Sequence, residues 1–260
     1  MDKFEYKKAY GQNFMRDENI INKIVDSAKI DKDTLLIEIG PGAGSLSKKI
    51  VPLAKYALLY EIDTRLKDTL EEVLRGNDNY KIIFNDFLDQ NVCDDIKEYD
   101  YDKIYVVANL PYYITTPIIT KLMTELYPDK IVVMVQDEVA NRLSAHNGSR
   151  EYGMISVKIS SGYDIKKLFK VGRNCFYPVP NVDSAVIELV KHNKYKIEDN
   201  KIFDKLIKDS FQYKRKNLRN NLKGYNLDKI ETILNKNNYS LNNRAEDLPV
   251  EVYVEIANNL

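Results

Sequence analysis

Three apolar stretches of the sequence each end in residues whose types suit ligand binding. Residues 35–39 run into the turn Gly-Pro-Gly-Ala-Gly, which begins at Gly40, and a predicted helix opens at Ser45. Glycines at a strand-to-helix turn let a backbone approach a ligand closely and point amide groups at it. Glu61 and Asp86 end the next two stretches, where one carboxylate suits the hydroxyls of a ribose and the other an adenine amino group. Together these ends predict a site for an adenosine-containing cofactor.

The spacing of the glycines helps to distinguish between two adenosine-containing cofactors. A nicotinamide dinucleotide and S-adenosylmethionine both contain adenosine, and both agree with Glu61 and Asp86. The turn reads Gly-x-Gly-x-Gly, whereas the turn that cradles a pyrophosphate reads Gly-x-Gly-x-x-Gly. Because S-adenosylmethionine has no pyrophosphate, the turn favours methyl transfer over hydride transfer.

A fourth apolar stretch, 104–108, ends in Asn109-Leu110-Pro111-Tyr112. This sequence suits methylation of an exocyclic amino group on a base, which is a poor nucleophile because its lone pair is delocalised into the ring. The Asn109 side-chain oxygen and the Leu110 carbonyl can accept the two N–H bonds of that nitrogen, and Tyr112 can stack on an extruded base. No strong general base is needed, since the proton leaves after the nitrogen becomes cationic.

These residues require a sheet that brings several strand ends together. Short apolar runs alternate with amphipathic, helix-length stretches through the first two thirds of the chain. The predicted strands are 35–39, 57–62, 81–84, 104–108 and 131–135, and the predicted helices are 20–28, 45–51, 64–74, 116–126 and 137–143. This alternation predicts a doubly wound, mostly parallel sheet with helices on both faces. Two later apolar runs, 155–161 and 184–190, are expected to pair as antiparallel strands at its edge.

The pattern changes after about residue 191. Residues 201–221, 227–237 and 250–258 all show helical periodicity, so a small all-helical domain is expected to follow a hinge near 191–200. The predicted domains are 1–192, which holds the cofactor site, and 193–260.

Composition excludes several classes of protein. The 260 residues include 39 basic and 39 acidic side chains, and 44% are hydrophobic, which is enough for a packed core. No apolar run approaches the roughly 18 residues of a membrane span, and the first ten residues lack a signal-peptide pattern. Two cysteines and two histidines, with neither histidine near a cysteine, predict no metal site. We therefore expect a metal-free cytoplasmic protein with no membrane partner.

The sequence resembles the rRNA adenine dimethyltransferases of the KsgA/RsmA group over nearly its whole length. Asn-Leu-Pro-Tyr after the Gly-Pro-Gly-Ala-Gly turn is similar to that family, as are Gly-Gln-Asn-Phe-Met at 11–15 and Phe-Tyr-Pro-Val-Pro-Asn-Val-Asp-Ser at 176–184. Met15 replaces the family's usual leucine. The resemblance implies a Rossmann-like class I methyltransferase fold with a seven-stranded sheet, S-adenosylmethionine as cofactor, and methyl transfer to adenine N6.

Carried over residue by residue, the resemblance implies specific roles. Phe176 would stack on the target adenine opposite Tyr112, so that the implied catalytic residues are Asn109, Leu110, Tyr112 and Phe176. The residues implied to contact the cofactor are Asn13, Met15, Gly40, Glu61, Asp86 and Asn109. The implied substrate is a pair of adjacent adenosines in the 3′-terminal hairpin of 16S rRNA, recognised in a pre-30S particle by a monomeric enzyme with a role in ribosome biogenesis.

The helical tail carries a concentration of positive charge. Residues 205–223 include seven Lys or Arg and one acid, although the whole chain is neutral. Beside a base-methylating site, such a segment suits gripping RNA phosphates. The string ending in Leu-Arg-Asn-Asn-Leu is also similar to the KsgA group. The predicted RNA-binding residues are Lys214, Arg215, Lys216 and Arg219.

Three alternatives share some of these features. Large-subunit (23S) rRNA methyltransferases of the antibiotic-resistance type share the cofactor motifs, but the glycine turn and the Phe-x-Pro-x-Pro segment favour the small-subunit type. A non-catalytic assembly or transcription factor would not need the intact Asn109–Tyr112 constellation. A DNA adenine methyltransferase is expected to show Asp/Asn-Pro-Pro-Tyr instead.

Overall fold

The computed structural model describes residues 14, 15 and 17–260. The strands are β1 Phe14–Met15, β2 Thr34–Ile39, β3 Tyr56–Glu61, β4 Tyr80–Phe84, β5 Lys103–Asn109, β6 Lys130–Gln136, β7 Tyr163–Val171, β8 Phe176–Tyr177 and β9 Ser184–Lys191. The α-helices are α1 Glu18–Ala28, α2 Ser47–Ile50, α3 Lys67–Val73, α4 Val92–Asp95, α5 Thr115–Lys121, α6 Asp137–Leu143, α7 Met154–Ser160, α8 Asn200–Ser210, α9 Leu218–Asn221, α10 Leu227–Lys236 and α11 Val250–Ala257.

Seven of these strands form one sheet in the order β4-β3-β2-β5-β6-β9-β7. Strands β2 to β6 pair in parallel, and β9 joins β6 in antiparallel register. The chain steps outward from β2 in one direction and from β5 in the other, so right-handed crossovers place the connecting helices on opposite faces. β2 and β3 are almost entirely buried, as expected of strands covered on both faces.

The reversal of strand order lies between β2 and β5. Open α/β sheets bind ligands outside the carboxyl ends of the strands at such a switch point. The glycine turn follows β2 and Asn109 ends β5, so the topology brings these two predicted elements together. A separate two-stranded sheet pairs β1 with β8, with Met15 opposite Phe176.

The predicted strand at 155–161 is wrong, because Met154–Ser160 is the helix α7. Residues 155–159 read Ile-Ser-Val-Lys-Ile, and this alternation of apolar and polar side chains has the period of a strand, although all five residues are buried in the helix. The edge strand is instead β7. The predicted helix 201–221 is also interrupted, since α8 ends at Ser210 and α9 begins at Leu218.

The chain divides into two compact units. The first runs to Ala140 and resumes over Lys166–Val190, and the second comprises Asn141–Ile165 and Lys191–Leu260. The junction between Val190 and Lys191 lies close to the predicted domain boundary between residues 192 and 193, but residues 141–165 belong to the helical unit. Tyr152 and Val157 share a buried cluster with Phe203, which explains why this segment belongs there.

Candidate active site

A cavity opens at the switch point of the sheet in the first unit. It is lined by all of the predicted cofactor residues that the structure describes, namely Met15, Gly40, Glu61, Asp86 and Asn109. Leu110 and Tyr112 line it as well. Asn13 lies outside the described residues. Parallel strand ends from separate parts of the sequence therefore converge on one site, as the sequence predicted.

The glycine turn has a backbone that other residues rarely adopt. Gly40, Gly42 and Gly44 have φ angles of 69°, 59° and 78°, in the left-handed region that favours glycine. Gly40 donates its N–H to the Tyr60 carbonyl (2.9 Å), which ties the turn to β3. At Gly44 an added Cβ would lie 2.9 Å from Val73 Cγ1, so close packing with α3 adds a second reason for glycine.

Glu61 is buried at the end of β3 and is held by backbone amides. Its Oε2 accepts the Gly42 N–H (3.0 Å) and its Oε1 accepts the Asp63 N–H (2.9 Å). Burial raises the pKa of Glu61, although these hydrogen bonds oppose the rise. Since a carboxylate offers about four lone-pair sites, both oxygens keep capacity for the hydroxyls of a ribose.

Asp86 follows the end of β4, the edge strand that pairs with the Glu61 strand β3. Its Oδ1 accepts the Leu88 N–H (2.9 Å) and so caps the short 3₁₀-helix Phe87–Asp89. Ile62 also lines the cavity and is 39% exposed, so it adds an apolar surface to the lining. Sequence reasoning did not select Ile62; its apolar side chain directly after Glu61 was the available signal.

Glu38, within β2, is a site residue that sequence reasoning missed. It lines the cavity, is 2% exposed, and its Oε2 has no hydrogen-bond partner among the described residues. Burial raises the pKa of Glu38 to about 8, and the nearby charge of Glu61 adds to the rise. The nearby Ser47 hydroxyl lowers the pKa of Glu38 in part, although its oxygen does not form a hydrogen bond of ordinary geometry with the carboxyl. A charged residue inside an otherwise apolar run was the signal.

The Asn109–Tyr112 segment forms the opposite wall. Asn109 is the last residue of β5, and the Leu110 N–H donates to the Met134 carbonyl (3.2 Å). Tyr112 opens a 3₁₀-helix, and its hydroxyl lies 2.6 Å from Ser184 Oγ at the start of β9. Burial raises the pKa of Tyr112, so the phenol stays neutral and its ring is fixed by the Ser184 hydrogen bond.

Phe176 differs from the other implied catalytic residues. Its side chain is only 3% exposed and packs in the core cluster that contains Met15. The structure therefore does not place it in the lining of the cavity, and its stacking role stays a prediction. Its strand β8 pairs with β1, so Phe176 lies opposite Met15, which lines the cavity.

The predicted RNA-binding residues lie in the second unit, between α8 and α9 or on α9. Lys214, Arg215, Lys216 and Arg219 are all exposed. Lys214 Nζ donates to the Arg150 carbonyl (3.0 Å), and Arg219 forms an ion pair with Glu231 (3.1 Å). Arg215 and Lys216 have no ion-pair partner within the described part of the chain.

Two further observations concern metals and membranes. In residues 14, 15 and 17–260, no group of three His, Cys, Asp or Glu side chains is arranged to hold a metal ion. No helix in the same part of the chain combines the length and the apolar character needed to cross a bilayer.

The sequence is similar to a known protein family and to named bacterial relatives over nearly its whole length. A model of the family described as "Ribosomal RNA adenine dimethylase" matches residues 3–260. Proteins described as "Ribosomal RNA small subunit methyltransferase A" are 41% identical in Geobacillus sp. (strain WCH70), with 99% of this chain and 92% of that protein covered, and 40% identical in Staphylococcus carnosus (strain TM300), with 99% and 90% covered.

Solved structures with a similar fold are more distant in sequence. A dimethyladenosine transferase from Plasmodium falciparum has a TM-score of 0.77 at 24% identity, covering 94% of this chain and 95% of that one. The 23S rRNA methyltransferase ErmE has a TM-score of 0.75 at 24% identity, covering 95% and 99%. These similarities confirm the predicted Rossmann-like methyltransferase fold.

Proposed function

The chain belongs to the ribosomal RNA adenine dimethylase family, and on that premise we propose its substrate, cofactor and reaction. It is an rRNA adenine methyltransferase that acts on small-subunit (16S) rRNA. S-adenosylmethionine is the methyl donor, and the acceptors are the N6 amino groups of two adjacent adenosines in the 3′-terminal hairpin, each of which becomes dimethylated. The partner is the small subunit or its pre-30S precursor, and the enzyme acts as a monomer in ribosome biogenesis.

One observation carries this proposal. The glycine turn, Glu61, Asp86 and Asn109 come from four different strand ends and line one cavity. The residues fit S-adenosylmethionine. The left-handed glycines have no side chains that would keep the cofactor away from the backbone. Glu61 suits its ribose hydroxyls, and Asp86 suits its adenine amino group. When bound, this cofactor supplies an electrophilic methyl group on a sulfonium.

The wall formed by residues 109–112 orients the acceptor nitrogen. The Asn109 side-chain oxygen and the Leu110 carbonyl accept its two N–H groups, which favours a tetrahedral nitrogen with its lone pair directed into the cavity. Tyr112, held by Ser184, stacks on the adenine and fixes its plane. No histidine or cysteine lines the described cavity, in agreement with a reaction that needs no strong general base.

The relatives favour the small subunit over the large one. The Geobacillus and Staphylococcus relatives carry a small-subunit name at 40 to 41% identity, whereas ErmE is similar in fold at 24% identity. The intact Asn109–Tyr112 wall speaks for an enzyme rather than a non-catalytic factor. On the second unit, Lys214, Arg215, Lys216 and Arg219 bind RNA phosphates.

The test is to incubate the protein with radiolabelled S-adenosylmethionine and small subunits that lack this modification. Labelled bases are mapped, and nuclease digestion with chromatography separates mono- from dimethyladenosine. We expect label on two adjacent adenosines of the 3′-terminal hairpin. Small subunits that take up no label, or only monomethylated product, would contradict the corresponding part of the proposal.

Asn109→Ala tests the role of the wall. We expect it to abolish methyl transfer while the circular dichroism spectrum and cofactor binding stay near those of the native protein. Asn91→Ala is the matched control, because Asn91 is exposed and lies outside the cavity lining. An Asn109→Ala protein that methylates subunits at the native rate would overturn the catalytic assignment.

A further inference from the structure

A second, more open cavity lies next to the active site at the same edge of the sheet. Gln136 at the end of β6 lines it, together with residues 137–138 at the start of α6, Arg173, and residues 181–183 before β9. All of these belong to the first compact unit. None of them was assigned a role in the reaction described above.

The strand register relates this cleft to Asn109. Asn109 on β5 pairs with Met134 on β6, and Gln136 follows two residues later, so Asn109 and Gln136 project from the same face of the sheet. One strand spacing and two residues of rise place their Cα atoms about 8 Å apart. Gln136 also pairs with Ser184, which holds the Tyr112 hydroxyl at 2.6 Å. The cleft is therefore one strand away from the site of the target base.

Two carboxylates of the cleft, Asp137 and Asp183, already have partners. Asp137 forms ion pairs with Lys167 and Lys170, and these lysines hold the pKa of its carboxyl below the usual range. Asp183 Oδ1 accepts the Arg173 backbone N–H (3.0 Å). The three cations Lys167, Lys170 and Arg173 balance the carboxylates of residues 137, 138 and 183, so the cleft does not repel a polyanion as an acidic patch would.

Gln136 and Arg173 are among the polar side chains of the cleft that remain uncommitted within the described residues. Neither the Gln136 amide nor the Arg173 guanidinium has a hydrogen-bond or ion-pair partner within residues 14, 15 and 17–260. A glutamine amide is suited to a bidentate contact with adenine, accepting from N6 and donating to N7. An exposed guanidinium is suited to a phosphate, which it binds through two parallel hydrogen bonds.

We infer that this cleft receives the nucleotide directly joined to the target adenosine, with Gln136 reading its adenine edge and Arg173 gripping the intervening phosphate. The inference rests on the proposed function, in which each target adenosine has an adenosine neighbour. Phosphate contacts position a nucleic acid, whereas base-edge contacts specify its sequence. The two side chains therefore make separable contributions.

The test uses small subunits reconstituted from transcribed RNA in which one of the two adjacent adenosines, first one and then the other, is replaced by guanosine. Methylation of the remaining adenosine is compared with methylation in the unsubstituted subunit. For the native protein we expect at least one replacement to slow methylation about tenfold, within the range for a base-edge contact. Gln136→Ala should slow methylation of the unsubstituted RNA by a similar factor and remove the difference between the two RNAs.

Arg173→Gln is the matched control in the same cleft. It should slow methylation of both RNAs equally and keep their ratio, because a phosphate contact carries no sequence information. Unchanged binding of S-adenosylmethionine shows that each variant is folded. A native protein indifferent to both replacements, or a Gln136→Ala protein that keeps the native ratio, would overturn the inference. A native protein that methylates no subunit at all would instead refute the proposed function, and the inference with it.

Discussion

Replacing Glu38 with glutamine should change how the stability of the protein depends on pH. Glu38 is buried in β2 with an unpartnered Oε2, and burial raises its pKa from the usual 4.5 to about 8. The native protein therefore holds a proton on this carboxyl at neutral pH, whereas the unfolded chain does not. Glutamine keeps the size of the side chain and removes the titration.

The sign and size of the effect follow from linkage. Between the two pKa values the folded state binds more protons than the unfolded state, so the free energy of unfolding falls as pH rises, by at most about 1.4 kcal/mol per pH unit. With pKa values of 4.5 and about 8, Glu38 makes the native protein about 3–4 kcal/mol less stable at pH 8 than at pH 5. Glu38→Gln lacks this loss, so its stability relative to the native protein should rise by that amount over the interval.

The assay is urea-induced unfolding, followed by circular dichroism, of both proteins at pH 5, 6, 7 and 8. Glu18→Gln is the control. Lys48 and Lys49 lower the pKa of the exposed Glu18 carboxyl, so its contribution is already complete above pH 5 and its difference from the native protein should stay constant. If the difference between Glu38→Gln and the native protein is also constant from pH 5 to pH 8, Glu38 is ionised in the fold and the reasoning is refuted.

Two further perturbations address the RNA surface and the glycine turn. Changing Lys214, Arg215 and Lys216 to glutamine should weaken RNA binding and reduce the slope of log affinity against log salt by about 2–3, with cofactor binding unaffected; an unchanged slope would place the RNA surface elsewhere. Gly44→Ala should cost about 2–4 kcal/mol in urea unfolding, because left-handed strain adds to overpacking against α3. Gly76→Ala has the strain but meets no atom within 4 Å, so equal losses in the two variants would contradict the packing argument.

The convergence of the strand ends on one cavity could be predicted because parallel topology leaves little freedom. Once residues 35–39, 57–62, 81–84 and 104–108 are recognised as buried parallel strands, their carboxyl ends must share one edge. Glu61, Asp86 and Asn109 then meet whatever the detailed packing, and the structure shows them lining one cavity. Glu38 was missed because the alternation of side chains within β2 does not reveal which buried position faces a cavity.

The edge of the sheet could not be predicted by the same reasoning. Residues 155–159 of α7 alternate between apolar and polar side chains, which is the period of a strand, yet all five are buried in the helix. β7 carries charges at Asp164, Lys166, Lys167 and Lys170, and a half-exposed edge strand of this kind gives no apolar run. Tertiary packing therefore decided both elements, and local sequence patterns do not report it.

Some of the basic side chains in residues 205–223 are already neutralised by ion pairs. Residues 205–223 carry seven basic side chains, but Lys205 pairs with Asp209 (2.5 Å) and Arg219 with Glu231 (3.1 Å). A cation that is already paired releases little additional free energy on meeting a phosphate, because it must first leave its carboxylate. Lys214 donates to the neutral Arg150 carbonyl, and Arg215 and Lys216 are exposed. We therefore expect residues 214–216 to contribute more to RNA binding than Lys205 and Arg219, so that local unpaired charges rather than net charge would bind the polyanion.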